Sequence, residues 1–196
     1  MRLFFFSFLL LIFAFFSYFY IDKNLALFFY EHTPKTIHHI FKEITKLGLS
    51  EWYILGGGIV YFVCKNSDKI KSRLGLFLAL SVIISGIIVD IIKVLVARYR
   101  PKAFLHDGLY GFKGFDIGYI VNSFPSGHSA TAFSAFVAFS FIFPKYKYLF
   151  FFIAFIVAFS RVVLYHHYLS DVIVGSLIGG LTSVLLYKRM FSENRL

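Results

Sequence analysis

The chain has 196 residues, of which 59% are apolar, 21% aromatic and only 15% charged, against about 25% charged in an ordinary soluble domain. A soluble fold of this size has no interior for 28 Phe and 13 Tyr, so the balance excludes a soluble globular domain, a disordered chain and, with the single Cys64, a disulfide scaffold. The net charge of +10 then fits cytoplasmic loops, anionic headgroups or an anionic substrate, and not nucleic acid.

Leu3 to Ile21 is an uncharged run behind Met1-Arg2. It exceeds a signal-peptide core and ends in bulky Tyr18-Phe19-Tyr20, so it is expected as a retained first spanning helix. Asp22 to Ser50 is mixed. Thr33-Pro34 suits a helix start, and Ile37, Ile40, Phe41, Ile44 and Leu47 recur at helical spacing with Lys35, His38, His39, Lys42 and Lys46 between them. That pattern predicts an amphipathic helix at the membrane surface, closed by Gly48. The alternative is a loop helix packed on the bundle.

Five more spans follow. Trp52 to Cys64 reaches crossing length only if Leu47 to Ser50 join it, and Gly56-Gly57-Gly58 weakens it. Leu74 to Ala97, Ser129 to Phe143, Tyr148 to Tyr165 and Val172 to Tyr187 complete the set. The expected fold is all-α: an integral membrane bundle of six transmembrane helices, with an amphipathic interfacial helix between the first and second, in one domain over residues 1–196. Cys64 is expected to be an inert packing residue.

Six spans put both termini on one side. Basic residues divide evenly between the two sides, but four of the nine residues from Lys65 to Arg73 are basic. Dense short links weigh more than long loops, so the termini are expected in the cytoplasm and the opposite face in the periplasm or exterior, at the inner (plasma) membrane.

Ionisable side chains at membrane depth cost at least ~2.5–3.5 kcal/mol each, which makes them functional suspects. Parity sharpens the suspicion. Lys93 and Arg100 follow the third span, His128 opens the fourth, Arg161 closes the fifth, and His167 and Asp171 open the sixth. Antiparallel spans bring all six to one membrane face. Three fixed cations can cradle a phosphate and its transition-state charge. One histidine can attack phosphorus while another protonates the leaving oxygen. His167 and Asp171, four apart, share a face if that stretch is helical.

Lys93-Val-Leu-Val-Ala-Arg-Tyr-Arg100-Pro101, then Pro125-Ser126-Gly127-His128, then Ser160-Arg161 with His167 and Asp171 beyond, together resemble the three signature motifs of the type 2 phosphatidic acid phosphatase family, in order and without departure. Vanadium haloperoxidases share these motifs, and a compact, lipid-embedded chain argues against that activity. The resemblance implies that His167 forms a phosphohistidine, that Asp171 orients it, and that His128 is the general acid. It implies that Lys93, Arg100, Arg161, Ser126 and the Gly127 backbone bind the phosphate. No cofactor and no metal are implied, and Asp90, Asp107, Asp116 and Asp171 lack metal-ligand spacing.

Several neighbours carry blander expectations. Asp90 is expected to neutralise Lys93, His166 to serve the surface or an interface, and His106, Asp107 and Lys113 to be solvated. The implied function is a membrane phosphatase acting on an envelope lipid: undecaprenyl diphosphate, lipid A, phosphatidylglycerophosphate or phosphatidic acid. The alternative is a phosphotransferase that passes lipid-derived phosphate to another acceptor. The implied partners are the lipid phosphate substrate and membrane lipids.

Overall fold

The computed structural model describes residues 2–191. The chain is all helical there, with no strand among the described residues and one isolated bridge between Arg98 and Phe112. Among the described residues nine α-helices occur in chain order: α1 (Arg2–Tyr20), α2 (Asp22–His32), α3 (Lys35–Ile44), α4 (Ser50–Cys64), α5 (Lys69–Val96), α6 (Pro101–Asp107), α7 (Gly127–Ile142), α8 (Lys147–Val163) and α9 (Leu169–Phe191).

Among the described residues, five segments are long and apolar enough to cross a membrane: Leu3–Tyr20, Lys35–Cys64, Lys69–Val96, Pro144–Val163 and Leu169–Phe191. Helix α7, with 16 residues, is apolar and shorter. The chain is therefore a multi-pass membrane protein. The second segment reaches crossing length only by joining α3 and α4 through a 3₁₀ turn at Thr45–Gly48; α4 alone has 15 residues.

The amphipathic helix forms close to the expected place, with two differences. Thr33 closes the preceding helix, Pro34 occupies the cap, and α3 begins at Lys35. The helix also tightens to 3₁₀ geometry before Gly48. The stretch before it holds a helix that periodicity did not reveal, α2, which turns directly off α1 at Ile21.

Helix α7 is the axis of the bundle. It packs against α5, α8 and α9, and its small residues Ala130, Ala132, Ala135 and Ala138 are fully buried. Lipid tails are as apolar as side chains, so close van der Waals packing of small residues drives such association. On α9, a Cβ at Gly175 would lie 2.4 Å from the Ser126 carbonyl oxygen, and one at Gly179 would lie 2.1 Å from that of Ala130. Glycine at both positions lets α9 seat its first turns against the start of α7. Around this axis the rings of Phe4, Phe15 and Phe19 on α1 face outward, as lipid contact allows.

The long segment after α5 is ordered by backbone pairing. Lys113 N–H donates to Ala97 O at 2.9 Å, Tyr99 N–H to Gly111 O at 3.0 Å, and Ser123 N–H to Arg98 O at 3.0 Å. It therefore folds back over the end of α5 and carries Ser123 and Ser126 to the start of α7.

Candidate active site

One end of the bundle gathers the C-terminal ends of α5 and α8 and the N-terminal ends of α7 and α9, as parity requires. Two non-glycine residues there adopt left-handed backbone: Ala97 with φ 40° and Tyr165 with φ 43°. Each such residue costs on the order of 1–3 kcal/mol. Ala97 ends α5 and turns Arg98 inward; Tyr165 turns the chain from α8 into His166 and His167.

His167 is buried in that turn. Its Nδ1 lies 2.7 Å from the Ser123 carbonyl oxygen. A carbonyl only accepts, so Nδ1 carries the proton and Nε2 holds the free lone pair. Burial, and after it the charges of Arg100, Arg161 and Lys93, hold the His167 pKa well below its ordinary value. The ring is neutral at pH 7.

Asp171 stands 3.8 Å from His167 Nδ1, beyond hydrogen-bond length. Its Oδ2 accepts from Ser123 Oγ at 2.6 Å and from Tyr168 N–H at 2.9 Å. Its Oδ1 is paired with Arg98. The orienting hydrogen bond expected from Asp171 is made instead by the Ser123 backbone, while Asp171 fixes the segment that presents it.

The cations surround this pair. Arg161 is buried; its Nη1 donates to Thr45 Oγ1 at 2.8 Å and its Nη2 to His166 Nδ1 at 2.8 Å. Its Nε is buried without a partner. A buried unpaired donor is costly, and a phosphate oxygen would satisfy it. Arg100 donates through Nε to Tyr119 O at 2.9 Å and through Nη2 to Asn122 O at 3.2 Å, and it lies on the Tyr119 ring. Lys93 Nζ would meet a Cβ at Gly127 at 3.2 Å, so the ammonium lies directly over the Gly127 backbone. Asp90 pairs with Lys93 at 3.5 Å from an exposed position.

Ser126 caps α7. Its Oγ accepts from Ser129 Oγ at 2.8 Å, and its N–H donates to Asp171 O at 3.1 Å. The side chain is buried and the oxygen committed, leaving its own proton to donate. The first N–H groups of α7, at Gly127 and His128, have no intrahelical acceptor and point out of the helix start, where anions bind. His128 is packed under Gly48, where a Cβ would lie 3.0 Å from His128 Cβ and Cδ2. The segment joining α3 to α4 thus roofs the site through Thr45 and Gly48.

His166 points back to Arg161, and its pKa is pushed down to about 3 by burial and then by the Arg161 charge. The ring is half-buried and accepts from Arg161, where the sequence suggests a surface or interface role. His106 and Asp107 are exposed, and Lys113 pairs with Asp116 at the surface.

Sequence reasoning missed Asp22, Arg98, Thr45, Ser123 and Ser170. Arg98 is completely buried, paired with Asp22 at 2.8 Å and with Asp171. Burial opposes its charge, but Asp171 and Asp22 together raise its pKa above the ordinary arginine value. Its position two residues before Arg100, at the end of an apolar span, was an available signal. Among the described residues no cluster of His, Cys, Asp or Glu could hold a metal ion.

The family model of the PAP2 superfamily matches residues 74–195. The chain is 31% identical over 164 residues to "Lipid A 1-phosphatase" of Rhizobium johnstonii, covering 78% of this chain and 67% of that one. It is 32% identical over 164 residues to the "Lipid A 1-phosphatase" of Rhizobium etli, covering 78% and 71%. The crystal structure of Aquifex aeolicus LpxE superposes with a TM-score of 0.64 at 23% identity, covering 86% of this chain and 95% of that one. A PAP2-type phosphatidylglycerolphosphate phosphatase from Bacillus subtilis does so with a TM-score of 0.63 at 22% identity, covering 100% and 96%.

Proposed function

Because the chain belongs to the PAP2 superfamily and is a membrane lipid phosphatase, we propose that it works through a phosphohistidine on His167 and that its substrate is a lipid A-type phosphate. The observation that carries the mechanism is the Nδ1 hydrogen bond to the Ser123 carbonyl at 2.7 Å. It leaves Nε2 as an unprotonated nucleophile among three cations.

The Nε2 lone pair attacks phosphorus, and the bond from phosphorus to the lipid oxygen breaks. His128 gives its proton to that oxygen. Lys93, Arg100, Arg161, the Ser126 hydroxyl and the Gly127 amide bind the phosphoryl oxygens and offset the charge that develops on them. Water then attacks phosphorus while His128 takes its proton; the phosphorus–nitrogen bond breaks and inorganic phosphate leaves. The cradle supplies the positive charge that this reaction needs.

The whole chain acts as one domain of six spans, with α7 as the short central one. The site faces the periplasm, both termini face the cytoplasm, and the membrane is the inner one. The dense basic link from Lys65 to Arg73 supports that orientation. The relatives named lipid A 1-phosphatase support the substrate class.

Phosphate release by the purified protein in detergent tests this reading. The panel is lipid A, undecaprenyl diphosphate, phosphatidylglycerophosphate and phosphatidic acid, each with His167→Ala as control. Release from lipid A that exceeds the others and needs His167 is expected. Dominant release from another lipid would reassign the substrate, and release that survives His167→Ala would overturn the mechanism.

A further inference from the structure

Asp22 lies far outside the stretch that carries the motifs, at the turn between α1 and α2, yet only 1% of it is exposed. Four donors converge on its carboxylate. Ser17 Oγ reaches Oδ1 at 2.8 Å, the Ser170 N–H reaches Oδ1 at 3.1 Å, Arg98 Nη2 reaches Oδ2 at 2.8 Å, and Ser170 Oγ also bonds Oδ2. Arg98 bridges from there to Asp171 and to Ser170 Oγ at 2.6 Å. Its guanidinium lies among the rings of Tyr168, Tyr18 and Tyr110 and also donates to the Tyr110 hydroxyl at 3.0 Å.

The charges of this chain of residues do not cancel. Two carboxylates flank one guanidinium, all three fully buried, which leaves one negative charge. With Arg98 and Asp171 alone, the pair would be neutral and Asp171 would offer His167 little. His167 needs a negative neighbour, because its ring becomes cationic when Nε2 bonds to phosphorus. In a buried site that compensation is strong.

We infer that Asp22 is a positioning residue of the catalytic centre, which draws half of the Arg98 charge away from Asp171 and so keeps a net negative charge beside His167. This rests on the phosphohistidine reading. It makes the α1–α2 turn part of the machinery: the start of α2 carries the carboxylate that shares Arg98 with Asp171 on α9. Asp22 touches neither the ring nor the phosphate cradle. Its effect passes through Arg98 and Asp171.

The test compares Asp22→Asn with wild type, using lipid phosphate turnover and competitive inhibition by inorganic phosphate. Asparagine keeps the size and the Ser17 contact while removing the charge. kcat is expected to fall about 10–100-fold, as when the partner of a ligating or catalytic group is lost. KM and the inhibition constant of inorganic phosphate are expected to stay within about twofold. An unchanged kcat would overturn the inference. A joint loss of kcat and phosphate affinity would also overturn it, because it would make Asp22 a scaffold residue only. If Asp22→Asn does not fold, Asp22→Glu and Asp22→Gln differ in charge at equal size, and the glutamate variant must be the more active.

A second measurement needs no turnover. The protonation midpoint of His167, followed by NMR of labelled histidine and assigned with His167→Gln, is expected to fall in Asp22→Asn. The groups facing this ring are Lys93, Arg100, Arg161, His166 and Asp171, with Arg98 and Asp22 behind Asp171. Only the last is altered. An unmoved midpoint would overturn the inference, whereas a shifted midpoint in a protein silent on every lipid phosphate would count against the functional reading alone.

Discussion

His167 Nδ1 sits 2.7 Å from the Ser123 carbonyl oxygen and 3.8 Å from the Asp171 carboxylate. The backbone therefore fixes the tautomer and the ring plane. The carboxylate, tied to Ser123 Oγ, Tyr168 N–H and Arg98, holds that backbone in place and supplies negative charge.

Two substitutions separate these roles. Ser123→Ala removes the hydroxyl that binds Asp171 and leaves the carbonyl that binds His167, so kcat should fall only about 10-fold, the low end for one hydrogen bond to a charged group. Asp171→Asn keeps the shape and removes the negative charge that faces the His167 ring across 3.8 Å, so kcat should fall by about 100-fold or more, as for loss of a buried charge that stabilises a developing one. Steady-state kinetics on both variants decides the matter. Equal losses would mean that the two residues act only as a structural unit.

The roof over His128 makes a second prediction. A methyl at Gly48 would meet His128 Cβ and Cδ2 at 3.0 Å and Val157 Cγ1 at 3.1 Å. Gly48→Ala must push one of these aside by a few tenths of an ångström. Small displacements of a catalytic group are costly, up to about 100-fold for 1 Å. A loss of about 10-fold in kcat with KM nearly unchanged is expected. Wild-type kcat in Gly48→Ala would show that His128 is positioned independently of the 3₁₀ turn.

Acid should destabilise the fold through the two adjacent histidines. Burial, then the neighbouring cations, depress the folded pKa of His167 well below normal, and that of His166 to about 3. The unfolded chain titrates near 6.5 and so binds more protons than the native state below that pH. Their stabilising contribution is complete above about pH 6.5 and is lost progressively as pH falls toward the folded values. Tm in detergent should decline from pH 6.5 to pH 5, before carboxylates titrate, and decline less steeply in His166→Asn. A flat wild-type profile over that interval would contradict the buried neutral state.

The parts of this architecture written in local pattern were legible. Long apolar runs mark the spans, and alternating parity alone brings Lys93, Arg100, His128, Arg161, His167 and Asp171 to one face. The unread parts are long-range or two-sided. Helix α2 hides because its few buried positions, Asp22 and Ala26 with Leu25 and Phe29 beside the core, sit among charged residues that mimic a loop. The Asp22–Arg98 pair spans 76 residues and leaves no spacing signal. Ser123 orients His167 through its backbone carbonyl, which any residue type would supply. Thr45 and Gly48 belong to the roof only because the turn after α3 lies over the α8 terminus, a relationship that periodicity does not encode.

A phosphate bonded to His167 is detected by alkaline quench of the enzyme mixed with phosphorus-32-labelled lipid phosphate. Phosphohistidine survives alkali, so the wild type should carry protein-bound label on the peptide that contains His167. His167→Gln should carry none, and its turnover should drop by about 10⁴-fold or more, as for loss of a nucleophile. Label that persists in His167→Gln, or that maps to another residue, would rule out His167 as the nucleophile.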